Sequence, residues 1–248
     1  MKTVPRAAAF AILALAPALA AERPADIVDV RTIIPDIQLD MRYTTSHNFV
    51  GRPIAGYLAA KCLLTKRAAQ ALKRVHDELR KQGLTLKVYD CYRPQTAVDD
   101  FVAWGKDLAD QEMKAEFYPS VDKRNLFRDD YIAAKSSHSR GSTLDLTIVP
   151  VRVPPQPEYE PGSSLKSCEN QKCARFSDNS IDMGTGYDCF SLRAHTAYPG
   201  IGAEQGTNRA QLKSAMERYG FVNLPEEWWH YTLLDEPYPG TYFDFPVE

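Results

Sequence analysis

Two histidines and three carboxylates stand out in this sequence for where they sit. His138 lies in SSHSRGSTLDL, seven residues before Asp145, and His230 lies in PEEWWHYTLL behind Glu226 and Glu227. A hydrolytic zinc centre takes three protein ligands from His, Asp, Glu and Cys and keeps a fourth position for water, whose pKa falls to about 7. It also needs a base beside that water. A turn at Arg140 and Gly141 can fold His138 back over Asp145, and a strand through WWHYTLL gives His230 a face shared with Trp228 and Thr232, so the three can converge. Glu227 stands three residues before His230, a spacing that meets on a helical turn and opposes on a straight strand. Pro225 favours a turn at this point, which brings Glu227 to the side of His230 and directs Glu226 to solvent. The bland alternative stays open: H-x6-D is a weak spacing, and His230 can equally be a core residue wedged beside aromatic rings. Under the first reading, the tryptophans give the site a dry wall.

Arg93 in DCYRP ends a strand, and Pro94 holds it extended. Its guanidinium suits the oxyanion of a tetrahedral intermediate, or it is an ordinary surface arginine paired with Asp90. The other histidines read as structural. His76 borders the apolar stripe of a helix, and His47 and His195 sit in loops where solvation is the default.

These residues need elements to mount them. IVDVRTIIPDIQLDMRY is strand-like and runs into the Gly and Pro punctuation of TTSHNFVGRPIAGY. TKRAAQALKRVHDELRKQG predicts a helix capped at Thr65 and ended by Gly83, with Ala68, Leu72, Val75 and Leu79 buried. LTLKVYDCYRP alternates as a half-buried strand, and AVDDFVAWGKDL is a second helix. In TLDLTIV, Leu144, Leu146 and Ile148 share one face and Asp145 and Thr147 the other. TNRAQLKSAMERYG is a third helix on Leu212, Ala215, Met216 and Tyr219, and WWHYTLL a late strand. Connections of irregular length and the lack of a Gly-rich phosphate loop argue against a doubly wound sheet. The expectation is an α+β fold with a central, mainly antiparallel sheet flanked by helices, one domain over residues 22–248. A Pro/Ser-rich stretch at about 150–180 reads as a surface insertion.

The 248 residues carry a formal charge of −2 and no Lys/Arg block, so no nucleic-acid partner is expected. MKTVPRAAAFAILALAPALAAE runs from charge through a short apolar stretch to small residues, the order of a secretory signal over residues 1–21, leaving no membrane span in the mature chain. Export permits disulfides among Cys62, Cys91, Cys168, Cys173 and Cys189, an odd number. Cys168 with Cys173 could close a short loop, and Cys62 with Cys91 could staple the first helix to the next strand. Spacing alone leaves the pairing open.

Together SSHSRGSTLDLT, DCYRP, EWWHY, the ending DEPYPGTYFDFP and the early LDMRYTTSHNFVGRPIAGY resemble the zinc D-alanyl-D-alanine dipeptidases, the VanX-like metallopeptidases. The segments follow that family's order over most of the chain. The resemblance implies one zinc ion per chain, held by His138, Asp145 and His230, with Glu227 as general base and acid and Arg93 steadying the tetrahedral intermediate. It implies that Asp188, after the MG of MGTGYDCF, holds the substrate's amino group, and that Ser136 or Ser137, Tyr43 and Tyr57 match further substrate-side positions. The fold it implies is shared with D,D-carboxypeptidases and the Hedgehog signalling domain. The expected reaction is hydrolysis of the small substrate D-Ala-D-Ala to two D-alanines in periplasmic cell-wall turnover. A long insertion with two cysteines and an export signal depart from the resistance enzymes of the family, so vancomycin resistance is not the expected role. The rival readings are a D,D-carboxypeptidase acting on stem peptides, a zinc-bearing binding module without turnover, and a solute-binding protein.

Overall fold

The computed structural model describes residues 22–248, so the expected export signal lies outside the described residues. A five-stranded sheet in the order β2-β4-β5-β7-β6 forms the centre, with β2 at Gln38–Leu39, β4 at Leu84–Asp90, β5 at Thr143–Pro150, β6 at Phe221–Asn223 and β7 at His230–Leu233. β2 runs parallel to β4 and the other pairings are antiparallel, giving the mainly antiparallel sheet that was expected. A separate ribbon pairs β1 (Ile27–Asp29) with β3 (Leu63–Thr65). The helices are α1 (Lys66–Arg80), α2 (Gln95–Lys106), the single turn α3 (Lys114–Phe117) and α4 (Ala203–Arg218). Among the described residues no helix is long and apolar enough to cross a membrane.

Thr65 caps α1 by accepting a hydrogen bond from the Ala68 amide, and the stripe of Ala68, Leu72, Val75 and Leu79 is fully buried. That stripe, with Leu212 and Met216 of α4, packs on Leu86, Val88, Leu144, Leu146 and Ile148 of the sheet. Truncating one of these leucines to alanine costs about 2–5 kcal/mol. A second core gathers Tyr43, Phe49, Tyr92, Phe101, Trp104 and Phe190 around α2.

The structure departs from the sequence reading at several places, first where the second face of the sheet is covered. Thr85, Lys87 and Tyr89 do not face solvent: all three are buried, Thr85 against His76 of α1 and Lys87 and Tyr89 under the segment that follows β5. Lys87 binds Gln156 and the Asp178 carbonyl, and Tyr89 stacks on Tyr187 at 4.3 Å. The expected early strand is broken into β1, a 3-10 turn at Val30–Thr32, and β2. The late strand begins only at His230, with Trp228 and Trp229 in the turn before it. Cys62 and Cys91 lie at bonding distance, as do Cys168 and Cys189, so Cys168 does not meet Cys173, which is exposed and free.

Candidate active site

Strand register brings the three potential ligands together. Asp145 on β5 is directly opposite His230 on β7, and their near sides share one face of the sheet. His138 arrives from the 3-10 turn Ser137–Arg140, whose end is Gly141 at φ +78°, a left-handed conformation that glycine adopts without strain. A β-carbon there would also press to 3.1 Å on Ile27. One ligand atom from each of His138, Asp145 and His230 lies within 4.8 Å of the others. His138 Nε2 is 3.3 Å and His230 Nδ1 3.2 Å from the same oxygen, Asp145 Oδ1.

The surroundings orient each ligand. His138 Nδ1 lies 2.7 Å from the Cys91 carbonyl, which can only accept, so its proton sits there and Nε2 keeps its lone pair for the centre. His230 Nε2 is 3.2 Å from Ser137 Oγ, which leaves Nδ1 facing inward. Tyr187 donates to Asp145 Oδ2 at 3.0 Å, while the buried Oδ1 has no hydrogen-bond partner. Burial alone raises the Asp145 carboxyl, but the two imidazoles hold it well below the usual carboxylate range. Burial likewise opposes charge on His230, and the adjacent Asp145 and Glu227 carboxylates overcome it, pushing the imidazole up to about 9. A buried carboxylate oxygen facing two inward imidazole nitrogens is a donor set that fits a divalent cation such as zinc.

Glu227 is at the edge of this cluster, its Oε2 3.3 Å from His230 Nδ1. Turn bonds from the Glu227 amide to the Leu224 carbonyl and from the His230 amide to the Glu227 carbonyl put the two side chains together. Glu226 is exposed and does not line the cavity.

Arg93 pairs with Asp90, Nε at 3.0 Å and Nη2 at 2.9 Å, and Nη2 also approaches Asp145 Oδ2 at 3.7 Å. The pairing is the one weighed as structural, yet the residue is not on the surface: it is largely buried over the rings of Tyr43 and Phe101 and lines the cavity. A register shift between Val88 and Asp90 inserts one residue into β4 and turns Asp90 toward Asp145. Tyr57 donates to the other Asp90 oxygen at 2.7 Å; it supports Asp90 from behind and does not line the cavity.

Asp188 is 5% exposed and sits at φ +53°, a conformation uncommon for a side-chain-bearing residue and concentrated at functional sites. Tyr43 donates to it at 2.8 Å. Burial first and then the Asp145 charge push its carboxyl well above the usual range, against the Tyr43 bond. Burial also raises the Tyr43 and Tyr187 phenols, so both stay O–H donors.

Tyr43, Arg93, Asp188, Glu227 and the three potential ligands line one cavity of about 220 Å³, with Ser136 and Ser137 in its wall. Ser136 Oγ accepts from the His138 amide and is 3.5 Å from Arg93 Nη1. The apolar wall is Phe49, Phe101, Tyr131, Ile132 and Phe190, not the two tryptophans. Trp228 instead donates to Thr185 Oγ1 at 2.8 Å behind the Asp188 loop.

The other histidines divide. His76 hydrogen-bonds Thr85 inside the core, and His195 is half-buried in its loop. His47 is no solvated loop residue: it is 3% exposed, 2.7 Å from Glu116, and stacked on Tyr159. Sequence reasoning missed Tyr187 and the bulged Asp90 as holders of the site. Their only signals were adjacency, Tyr187 to Asp188 and Asp90 to the DCYRP motif.

The family described as D-ala-D-ala dipeptidase matches residues 23–151 and 174–248. A D-alanyl-D-alanine dipeptidase of Enterococcus faecium is 35% identical over 216 residues, covering 87% of this chain and 95% of that protein. One of Streptomyces coelicolor is 35% identical over 222 residues, covering 90% of this chain and 98% of that protein. A third, of Enterococcus faecalis, is 36% identical over 211 residues, 85% of this chain and 93% of its own. With a match running through every element that mounts the cavity, the chain belongs to the D-Ala-D-Ala dipeptidase family of peptidases.

Proposed function

We propose that this protein is a zinc-dependent dipeptidase that hydrolyses free D-Ala-D-Ala to two D-alanines in cell-wall peptide turnover. One observation carries the reading: His138, Asp145 and His230 converge within 4.8 Å beside Glu227, in the same small cavity as the buried Asp188. At about 220 Å³ that cavity falls below the roughly 300–1,000 Å³ of pockets for drug-sized ligands, which suits a substrate of two small residues.

His138, Asp145 and His230 would hold a zinc ion, which when bound would supply Lewis acidity to a carbonyl and lower the pKa of water. Glu227 Oε2 takes a proton from the attacking water and returns one to the leaving amine, a role its solvent-reachable edge position permits. Arg93, held by Asp90 and Tyr57, presents its cation to the oxygen that gains negative charge. Asp188 receives the substrate ammonium. A carboxyl that burial has pushed up regains its charge when an ammonium pairs with it, so the ion pair forms only with a free amino end. Tyr43 keeps Asp188 in place and Tyr187 keeps Asp145 in place. Ser137 steadies His230, and Ser136 is left to meet the substrate beside Arg93.

The two cysteine pairs at bonding distance favour an oxidising compartment, in keeping with export to the periplasm through the 1–21 segment. The test is zinc analysis of the purified protein together with D-alanine release from D-Ala-D-Ala and from a pentapeptide ending in D-Ala-D-Ala. Hydrolysis of the dipeptide alone is expected. Cleavage of the pentapeptide in preference would make the protein a D,D-carboxypeptidase, and stoichiometric zinc with no release from either would leave a binding module.

A further inference from the structure

A free dipeptide is a zwitterion, and the proposed chemistry accounts for only one of its ends. Asp188 takes the ammonium, whereas the terminal carboxylate enters a cavity lined by four acidic side chains, Asp130, Asp145, Asp188 and Glu227. With the zinc ion of the proposed reading beside Asp145 and Glu227 and the ammonium on Asp188, that carboxylate still needs a cation of its own to offset Asp130 and fix its position. Among the described residues of the lining, two carry a permanent positive charge, Arg93 and Lys135.

Arg93 is engaged. Its Nε and Nη2 are spent on Asp90, and the guanidinium is fixed between the Tyr43 and Phe101 rings. Lys135 is not. It is exposed at the cavity rim, its ammonium 4.8 Å from the centre of the Tyr242 ring, a contact that orients a cation without neutralising it. Glu236, the acid of that neighbourhood, is taken by Arg140, which also approaches Tyr242. Lys135 directly precedes Ser136, Ser137 and His138, and the Gln95 side chain donates to the carbonyl of Ala134 at 3.0 Å, so its backbone is fixed to the start of α2.

We infer that Lys135 is the anchor for the substrate's C-terminal carboxylate, setting a preference for a free acid at that end. This rests on the dipeptidase reading above. Lys135 and Asp188 then read the two ends of the ligand within one cavity. Lys135 does not touch the reacting atoms, so its loss weakens binding and leaves the chemical step intact.

The experiment compares wild type, Lys135→Met and Lys135→Arg on D-Ala-D-Ala and on its C-terminal amide. Wild type is expected to favour the free acid by about tenfold in kcat/KM, the scale of one partly solvated charge contact. Lys135→Met should raise KM for the free acid about tenfold, keep kcat within about twofold, and erase the preference over the amide, while Lys135→Arg restores most of it. Added salt should narrow the wild-type preference and leave the methionine variant unaffected. An unchanged KM and an unchanged acid preference in Lys135→Met would overturn the assignment. Should wild type hydrolyse neither compound, the dipeptidase reading fails instead; calorimetric binding of D-Ala-D-Ala and the amide to wild type and Lys135→Met still decides the anchor.

Discussion

Asp145 and His230 are fixed by a hydrogen-bonded ladder, whereas residues 152–173 contain no strand or α-helix and are held by a handful of side chains. Gln156 bridges Lys87 and Asp40, Tyr159 stacks on His47 at 4.2 Å, and Cys168 is joined to Cys189. The first region cannot slip by one residue without turning Asp145 or His230 to the opposite face. The second is attached at points, so its length and sequence can change between attachments without moving the sheet. The family match divides the chain along the same line, covering 23–151 and 174–248 and skipping what lies between.

Changes on the ladder side should therefore act on chemistry, and the largest is expected at Glu227. Glu227→Gln keeps the shape and removes the base, so kcat should fall about 10³-fold, within the range for general acid–base catalysis. Bound zinc, read by metal analysis, should stay near one per chain. Glu226→Gln, one residue away but exposed, should stay within about twofold of wild type. Equal losses in the two variants would sink the assignment of the base.

The next effect is on stability and separates the two cysteine pairs. Cys62–Cys91 joins the start of β3 to the end of β4, and the Cys91 carbonyl also accepts the His138 proton. Replacing both by serine should lower unfolding free energy by about 3 kcal/mol in urea titrations and reduce activity with it. Cys168–Cys189 ties the inserted segment to the residue after Asp188. Serine at both of those should raise KM more than it lowers kcat, because the loop carrying the ammonium partner loosens while the three ligands stay fixed. A fall in zinc content in this second variant would show that the insertion does hold the centre.

The same division explains what could be read from the residues alone. The convergence of His138, Asp145, His230 and Glu227 was open to a strand period, a glycine turn and the turn at Pro225, and the family resemblance selected it from the alternatives. The helices α1, α2 and α4 were legible from their apolar stripes. Lys87 and Tyr89 were not, since burial of a charged and a phenolic group on a strand depends on Gln156, Asp178 and Tyr187, which arrive from far along the chain. The bulge at Asp90 and the pairing of Cys168 with Cys189 carry no local pattern either. His47 looked like a loop histidine because its partners, Glu116 and Tyr159, are remote in sequence.

A smaller effect should come from Tyr159→Ala, which removes the ring stacked on His47. The loss expected is about 1 kcal/mol of stability beyond the lost burial, with kcat and KM within twofold of wild type, measured side by side by urea melts and dipeptide hydrolysis. A large loss of activity would mean that the insertion and the ladder are coupled more tightly than point attachment allows.

The smallest effect concerns pH and again falls at His47, where the inserted segment meets the rest. Burial, and then the Arg42 guanidinium 3.1 Å from Nδ1, lower the imidazole from its ordinary 6.5, and Glu116 at Nε2 only partly offsets them. In the neutral ring Nδ1 accepts from Arg42 and Nε2 donates to Glu116, so every partner is satisfied without a proton on Nδ1. The unfolded chain therefore binds a proton near pH 6.5 that the fold refuses, and stability contributed by His47 is present above that pH and lost as pH falls below it. His76, which burial also lowers, acts with the same sign, so the wild-type slope alone does not isolate His47. The difference between wild type and His47→Gln does: glutamine can still accept from Arg42 and donate to Glu116 but does not titrate. Its urea midpoint should decline less steeply between pH 7 and pH 5, and identical slopes would mean that His47 gains its proton in the folded protein as readily as in the unfolded chain.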